Sequence, residues 1–93
     1  MNIKEFKHLL GGNIPPEGIY LQTLWLEKKG KWDEAHQLID SVNSREAAWI
    51  HAHLHRVEGD NWNARYWYNR AGKQAPACNT SEEWIDLVRY FCK

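Results

Sequence analysis

Histidines are the residues of this sequence whose spacing most directly suggests chemistry. His51 and His55 lie four positions apart in a stretch with helical spacing, so both imidazoles would project from one side of a helix, with Glu58 about one turn further on. Zinc needs a third protein ligand, and the sequence shows neither a cysteine-rich knuckle nor a second histidine pair. We therefore predict no metal cofactor, and His51 and His55 remain weak metal candidates. The alternative that the pattern favours is a pair of half-buried imidazoles bonded to tyrosines or carboxylates of the next helix.

A catalytic constellation is not recognisable in the sequence. It contains no phosphate-binding glycine loop, no nucleophile elbow and no recognisable pairing of a cysteine with a histidine. His51 or His53 beside Glu58 could titrate near neutral pH, but the same holds for most histidines. We predict that the protein is not an enzyme, because a nucleophile, a base and an orienting group do not occur together.

Trp49, His53 and Arg56 form a second group on the predicted helix that carries His51. His53 points about 160° away from His51 on a helical wheel with 3.6 residues per turn, and Trp49 and Arg56 share its side. Tryptophan and arginine are enriched at binding hot spots, so these three residues are the first candidates for a partner-binding face, with Tyr20 on the comparable face of an earlier helix. The open alternative is that the N- or C-terminal helix folds back over this surface and buries Trp49.

A third candidate surface lies in the run from Asn61 to Thr80, which contains no acidic residue. Its cations and aromatic residues alternate: Trp62, Arg65, Tyr66, Trp67, Tyr68, Arg70 and Lys73. Trp67 and Tyr68 share a helix face with two alanines and are predicted to be core, which leaves Trp62 and Arg65 for a partner. Aromatic residues among cations also suit single-stranded nucleic acid, so RNA binding is the alternative function. Three cations are more often a solvated helix face, and we therefore expect nucleic acid less than protein.

The elements that must position these residues are all helical. Apolar residues recur at i, i+3, i+4 and i+7 along the chain, and no stretch alternates with the period of a β-strand. The pattern predicts an all-α fold of about five to six helices, over residues 2–10, 17–29, 31–42, 45–58, 61–71 and 80–92. Gly30, Gly59 and Gly72 are predicted to end three of them, and Thr80 with Glu83 to form a capping box that opens the last.

Length and composition bound the remaining possibilities. The chain has 93 residues, enough for one domain, and its 12 basic and 12 acidic residues cancel. No field of one sign therefore directs it towards nucleic acid or an anionic membrane. No stretch has the apolar length of a signal peptide or a membrane span, so we expect a cytoplasmic protein without a membrane partner. Cys78 and Cys92 would lie roughly 18–20 Å apart along the last helix, too far for a disulfide.

An internal repeat links two of the predicted helix pairs. Gly30-Lys31-Trp32-Asp33-Glu34-Ala35 aligns with Gly59-Asp60-Asn61-Trp62-Asn63-Ala64 at a constant offset of 29 positions, from Gly30 to Gly59. In each block a glycine permits a left-handed turn between two helices, and an alanine five positions later allows their backbones to approach closely. Such self-similarity predicts two related helical hairpins.

These residues resemble the tetratricopeptide (TPR) repeat and its Sel1-like relatives. The second unit carries the family's signature residues at Gly59, Asp60, Ala64, Tyr68, Ala71 and Pro76. The offset is shorter than the usual 34 residues of a TPR. The resemblance implies a right-handed α-α superhelix, with hairpins over residues 15–42 and 44–76 and a capping helix over 80–92. It also implies a module that binds a protein or peptide, or associates with itself, and it does not identify the partner.

Overall fold

The computed structural model describes residues 1–92, and these residues form six α-helices and no strand. The all-α fold with about six helices is therefore confirmed. The helices are α1 (Ile3–Leu9), α2 (Ile19–Lys28), α3 (Trp32–Asp40), α4 (Arg45–Val57), α5 (Asn61–Ala71) and α6 (Thr80–Phe91). Within the described part of the chain, no helix is long and apolar enough to cross a membrane. Cys78 and Cys92 are both free thiols, as predicted.

Side chains that accept hydrogen bonds from backbone N–H groups fix where the helices begin. Ser44 caps α4 by accepting from the N–H of Ala47. The capping box of α6 is formed by Asn79 and Glu82, so the prediction that Thr80 and Glu83 form it is wrong by one position. The N-cap must precede the first helical residue, and the asparagine side chain occupies that place. Glu83, relieved of a capping role, faces the interior of the protein.

Glycines in the left-handed region produce the two tight helix-to-helix turns of the repeat. Gly30 has φ +81° and Gly59 has φ +86°, a backbone conformation that costs other residues about 1 kcal/mol or more. Gly30 follows the end of α2 and forms the turn towards α3, and Gly59 forms the corresponding turn after α4. The turn at each glycine brings α3 back against α2 and α5 back against α4.

Small residues bring the helices of each pair close together. Ala35 of α3 and Ala52 of α4 are fully buried, and Ala64 of α5 is almost so. Ala52 and Ala64 pack with Tyr68 in a cluster between α4 and α5. The alanines that the repeat pattern predicts at the helix crossings therefore lie in the interior.

The main core lies where α6 crosses α2 and α4. Leu87 and Val88 of α6 are fully buried, and the indole N–H of Trp84 donates to the carbonyl oxygen of Leu24 at 3.0 Å. On the other side of Trp84, Phe6 of α1 packs against its ring at a centroid distance of 5.7 Å. α6 therefore covers one side of α2 and α4, and α1 packs against α6 and α2. The surface on α2 and α4 that faces α6 is not open to solvent.

Candidate functional site

The side of α4 that carries Trp49, His53 and Arg56 lies beneath α6. His53 is fully buried, and the indole ring of Trp49 packs against the ring of Phe91 at 6.4 Å. The expectation that these residues line an exposed groove is wrong, because the C-terminal helix folds back over them. The alternative that the sequence left open, a terminal helix covering Trp49, is the arrangement observed.

Tyr20 lies under the same helix. Its ring packs on that of Phe91 at 4.7 Å, and its hydroxyl group is 2.8 Å from the hydroxyl oxygen of Ser44. Tyr20 thus joins α2, the start of α4 and the end of α6. It contributes to the core rather than to an open floor of a groove.

His53 lies between two carboxylates. Its Nδ1 atom is 2.8 Å from Oε1 of Glu83, and its Nε2 atom is 2.8 Å from Oε2 of Glu27. An ionised carboxylate only accepts hydrogen bonds, so both ring nitrogens must donate, which makes the imidazole a cation. Burial alone would lower the pKa of His53, but the hydrogen bonds and charges of Glu27 and Glu83 raise it to about 9. His53 is therefore protonated at neutral pH.

Glu83 receives four donors from two other helices. Its Oε1 accepts from His53 and, at 3.1 Å, from Nη1 of Arg56, while its Oε2 accepts from the hydroxyl group of Tyr68 at 2.5 Å and from the indole of Trp49 at 3.3 Å. Burial would raise the pKa of Glu83, but the hydrogen bonds from His53 and Tyr68 outweigh it and hold the pKa below its ordinary value. Four donors match the roughly four lone-pair sites of a carboxylate, so Glu83 is ionised and fully satisfied.

The charges in this buried network balance. Glu27 and Glu83 are negative, His53 and Arg56 are positive, and the arrangement connects α2, α4 and α6 directly. Arg56 also donates to the carbonyl oxygen of Cys78 in the connection before α6. A buried charge without a partner is costly, so the network favours the observed position of α6 over positions in which these charges would be unpaired. We therefore assign Trp49, His53 and Arg56 to the attachment of α6.

Glu27 and Glu83 were not among the candidate site residues predicted from the sequence, and Glu83 was predicted only to cap α6. The signal that could have found Glu83 is its place on the helical wheel, one turn before Leu87 and next to Trp84 on the apolar side of α6. An acidic residue on that side requires a buried cation. His53 and Arg56 are two such cations. The capping-box pattern assigned Glu83 a role at the start of α6, so its pairing with them was not predicted.

His51 and His55 lie on the opposite side of α4, together with a third histidine. His36 of α3 approaches them, with ring centroids 4.6 Å from His51 and 5.2 Å from His55. The sequence pattern missed His36 because it lies on another helix, outside any local spacing. The sequence led us to expect that His51 and His55 bond to tyrosines or carboxylates of the next helix. Instead, the ring of His51 stacks on that of Trp67 at 3.8 Å, and His55 contacts Glu58 of its own helix at 2.7 Å.

Burial and its two histidine neighbours keep His51 neutral. Burial makes the largest contribution, and the charges that His36 and His55 can carry add to it, so that the pKa of His51 falls to about 4. His53 and His51, on the two sides of α4, are therefore in opposite charge states at pH 7.

The outer face of α5 is where the third predicted group lies, and it is exposed. The side chain of Trp62 is 74% exposed and that of Tyr66 is 46% exposed, and Arg65 beside them is also exposed. The other five tryptophans are buried or half-buried. Trp62 and Arg65 are thus the two predicted partner-binding residues that solvent reaches freely. We call the surface formed by Trp62, Arg65, Tyr66 and Arg70 the α5 face.

Comparisons of the chain with models of protein families, with curated proteins and with solved structures gave no match.

Proposed function

We propose that this chain is a small TPR-like helical module that binds a protein segment through the α5 face. The observation that carries the proposal is the exposure of Trp62, a large apolar ring held in solvent on a helix that packs chiefly against α4. Burying such a ring against a partner removes up to about 150–250 Å² of surface from water. Tryptophan with a neighbouring arginine is also the composition of interface hot spots.

The groove on α2 and α4 is the less suitable place for a partner. Trp84, Leu87 and Val88 of α6 already occupy it, and the network around Glu83 holds α6 there. A partner would have to displace α6 and expose its buried carboxylate. The α5 face requires no such rearrangement, because its aromatic rings are already exposed.

Charge indicates the chemistry of the partner. Residues 61–80 contain no acid, and Arg65 lies one turn after Trp62 on the same helix. An acidic segment that also carries apolar side chains would complement this face. A second copy of the chain could supply such a surface, because Asp33, Glu34 and Asp40 are exposed on the outer side of α3.

The placement of the cations favours a protein over single-stranded nucleic acid. The guanidinium group of Arg70 lies over the rings of Tyr66 and Trp67 at 5.7 Å and 5.2 Å, and Lys73 lies over the ring of Trp49 at 4.2 Å. Both cations thus contact aromatic rings of the protein itself. Arg65 is left as the one exposed cation of the run without such a contact in the described residues, and one cation neutralises few phosphates.

The test is fluorescence anisotropy with a labelled twelve-residue peptide of alternating glutamate and phenylalanine or leucine, in parallel with a labelled oligouridine. We expect the peptide to bind the wild-type protein, and Trp62→Ala to weaken binding about 30-fold, which corresponds to the ~2 kcal/mol of a hot spot. Ile14→Ala is the matched control, because it removes an equally exposed apolar side chain, 75% exposed, outside α5. Its affinity should equal that of the wild type.

Other binding partners of the α5 face would give different results in these experiments. Tight binding of oligouridine with a steep loss on adding salt would replace the proposal by RNA binding. Concentration-dependent association that Trp62→Ala abolishes, measured by sedimentation, would identify a second copy as the partner. A peptide that binds Trp62→Ala as well as wild type, or binds neither while the protein stays monomeric, would overturn the proposal.

A further inference from the structure

The three histidines between α3 and α4 surround a common point. One ring nitrogen from each of His36, His51 and His55 lies within 4.8 Å of those of the other two. In tetrahedral zinc sites, Zn–N distances of about 2.0–2.1 Å place the nitrogens of two ligands about 3.3 Å apart. Rotations of the imidazoles close that difference, because His51 and His55 share a helix face and His36 reaches them from the side. The backbone already holds the three residues together.

The hydrogen bonds of the cluster leave nitrogens available. In the described residues, neither the ring of His36 nor that of His51 makes a hydrogen bond, and His51 is 3% exposed. A metal ion would therefore displace no hydrogen bond of either ring.

A second contact orients one of the imidazoles as metal sites require. The Nδ1 atom of His55 is 2.7 Å from Oε1 of Glu58, which leaves its Nε2 atom for a metal ion. The Nδ1 atom of His51 is 3.9 Å from Oδ1 of Asp40, which is beyond hydrogen-bond distance. A carboxylate in the position of Glu58 fixes the tautomer and raises the basicity of the metal-bound nitrogen.

Tryptophan rings hold the histidines from either side. His36 stacks on Trp32 with ring planes 10° apart, and His51 stacks on Trp67 with planes 11° apart. The indole of Trp32 is itself anchored, since its N–H donates to the carbonyl oxygen of Leu54 at 2.7 Å. Such support keeps the rings of His36 and His51 in place within the cluster.

We propose that His36, His51 and His55 form a binding site for one divalent transition-metal ion, zinc in the first place. Three imidazoles without a thiolate suit Zn²⁺, Ni²⁺ and Cu²⁺ and disfavour Mg²⁺ and Ca²⁺, which select oxygen ligands. A fourth position is left for water or for a group from a partner. Such an ion would join α3 to α4 and so connect the two helix pairs.

The test uses the full chain without a histidine tag and the metal chloride alone. Calorimetric titration with Zn²⁺ should give one site per chain, and titration with Mg²⁺ should give none. His36→Gln should weaken zinc binding by more than about 100-fold, and Glu58→Gln, which removes only the orienting carboxylate, by about 10-fold or more. His8→Gln is the matched control, because His8 is an exposed histidine of α1, and it should bind zinc as the wild type does.

Two further measurements separate the site from adventitious binding. Co²⁺ should give the intense visible absorption of a tetrahedral complex with the wild type and lose it in His36→Gln, whose helical circular dichroism reports that it is folded. In NMR spectra, zinc should shift the ring signals of His36, His51 and His55 and leave those of His53 in place. Zinc binding that survives His36→Gln, or that His8→Gln impairs equally, would overturn the proposal, as would no binding at millimolar zinc.

Discussion

Replacing Glu83 by glutamine tests whether the buried network determines how firmly α6 is attached. The substitution preserves the volume of the side chain and removes its charge. The amide group can still accept from Tyr68 and Trp49, but it then directs its NH₂ group at His53 and Arg56, which are donors themselves. His53 would keep its contact with Glu27, and Arg56 would lose its ion pair with Glu83. Glu83→Gln therefore breaks a buried ion pair from one side.

The magnitude follows from the burial of the groups. Glu83 is 1% exposed and His53 fully buried, so solvent screens neither charge. Removing one partner of a buried pair costs about 3–5 kcal/mol, because the other charge stays uncompensated. A chain of 93 residues is expected to have a free energy of unfolding of about 5–14 kcal/mol. The substitution should thus remove about a fifth or more of the stability.

Urea unfolding, followed by circular dichroism and by tryptophan fluorescence, measures this loss. With an m-value of about 1.5 kcal/mol per molar urea, 3 kcal/mol or more lowers the midpoint by about 2 M or more. Asp86→Asn removes a charge from an exposed position of the same helix and should change the free energy of unfolding by about 0.5 kcal/mol or less. Tyr68→Phe removes one of the four donors and should lie between the two variants, at about 1.5 kcal/mol.

The order of the three variants in free energy of unfolding shows whether the charge of Glu83 holds α6 in place. If Glu83→Gln unfolded at the same urea concentration as Asp86→Asn, the network would contribute nothing to the seating of α6. If Tyr68→Phe cost more than Glu83→Gln, the hydroxyl group of Tyr68 rather than the charge of Glu83 would be the dominant contribution. Either result would refute the reasoning from charge balance.

Three further predictions concern pH, a turn and the α5 face. The pKa of Glu83 in the folded protein lies below its ordinary value of 4.5, so in acid the unfolded chain binds more protons than the folded one. The free energy of unfolding should therefore fall as the pH drops below about 4.5. In urea titrations at such pH, the difference in stability between the wild type and Glu83→Gln should become smaller. Gly59→Ala should lower the free energy of unfolding by about 1 kcal/mol, because the backbone there has φ +86°, and the cause is not crowding, since no atom lies near the added methyl group. Gly11→Ala is the control in the same assay and should cost less, because Gly11 does not have a positive φ. Trp62→Phe should remove most of the tryptophan fluorescence that iodide quenches, since Trp62 is 74% exposed, and quenching that stays unchanged would place another indole at the surface.

The repeating local signals of the sequence predict the helices well, and the reason is physical. Glycine at positive φ, a capping side chain and apolar residues at helical spacing all act within about one turn, so Gly59 and Ser44 can be interpreted without knowledge of the fold. The capping box of α6 shows the limit of such signals. Asn79-Glu82 and Thr80-Glu83 both fit the pattern, and only the burial of Glu83 distinguishes them.

The candidate sites depend on contacts between helices, which local patterns do not contain. Trp49 and Arg56 were placed correctly on one side of α4, but whether that side is open depends on where α6 lies, more than twenty residues further along the chain. His36 was missed for the same reason, since a pair at i, i+4 carries no information about a third residue on α3. Trp62 was placed correctly because its exposure follows from the core positions of its own helix.

The histidines of α4 show how one helix supports two different chemistries within a single turn. His53 faces Glu27 and Glu83, and a carboxylate on each ring nitrogen requires the protonated form, which cannot coordinate a metal ion. His51 faces another histidine and an indole ring, where no carboxylate lies on both nitrogens and the neutral form persists. The type of residue is the same, and the helices against which each side packs determine its charge. The proton on His53 helps to hold α6 in place, whereas the neutral ring of His51 has a nitrogen lone pair that a metal ion can bind.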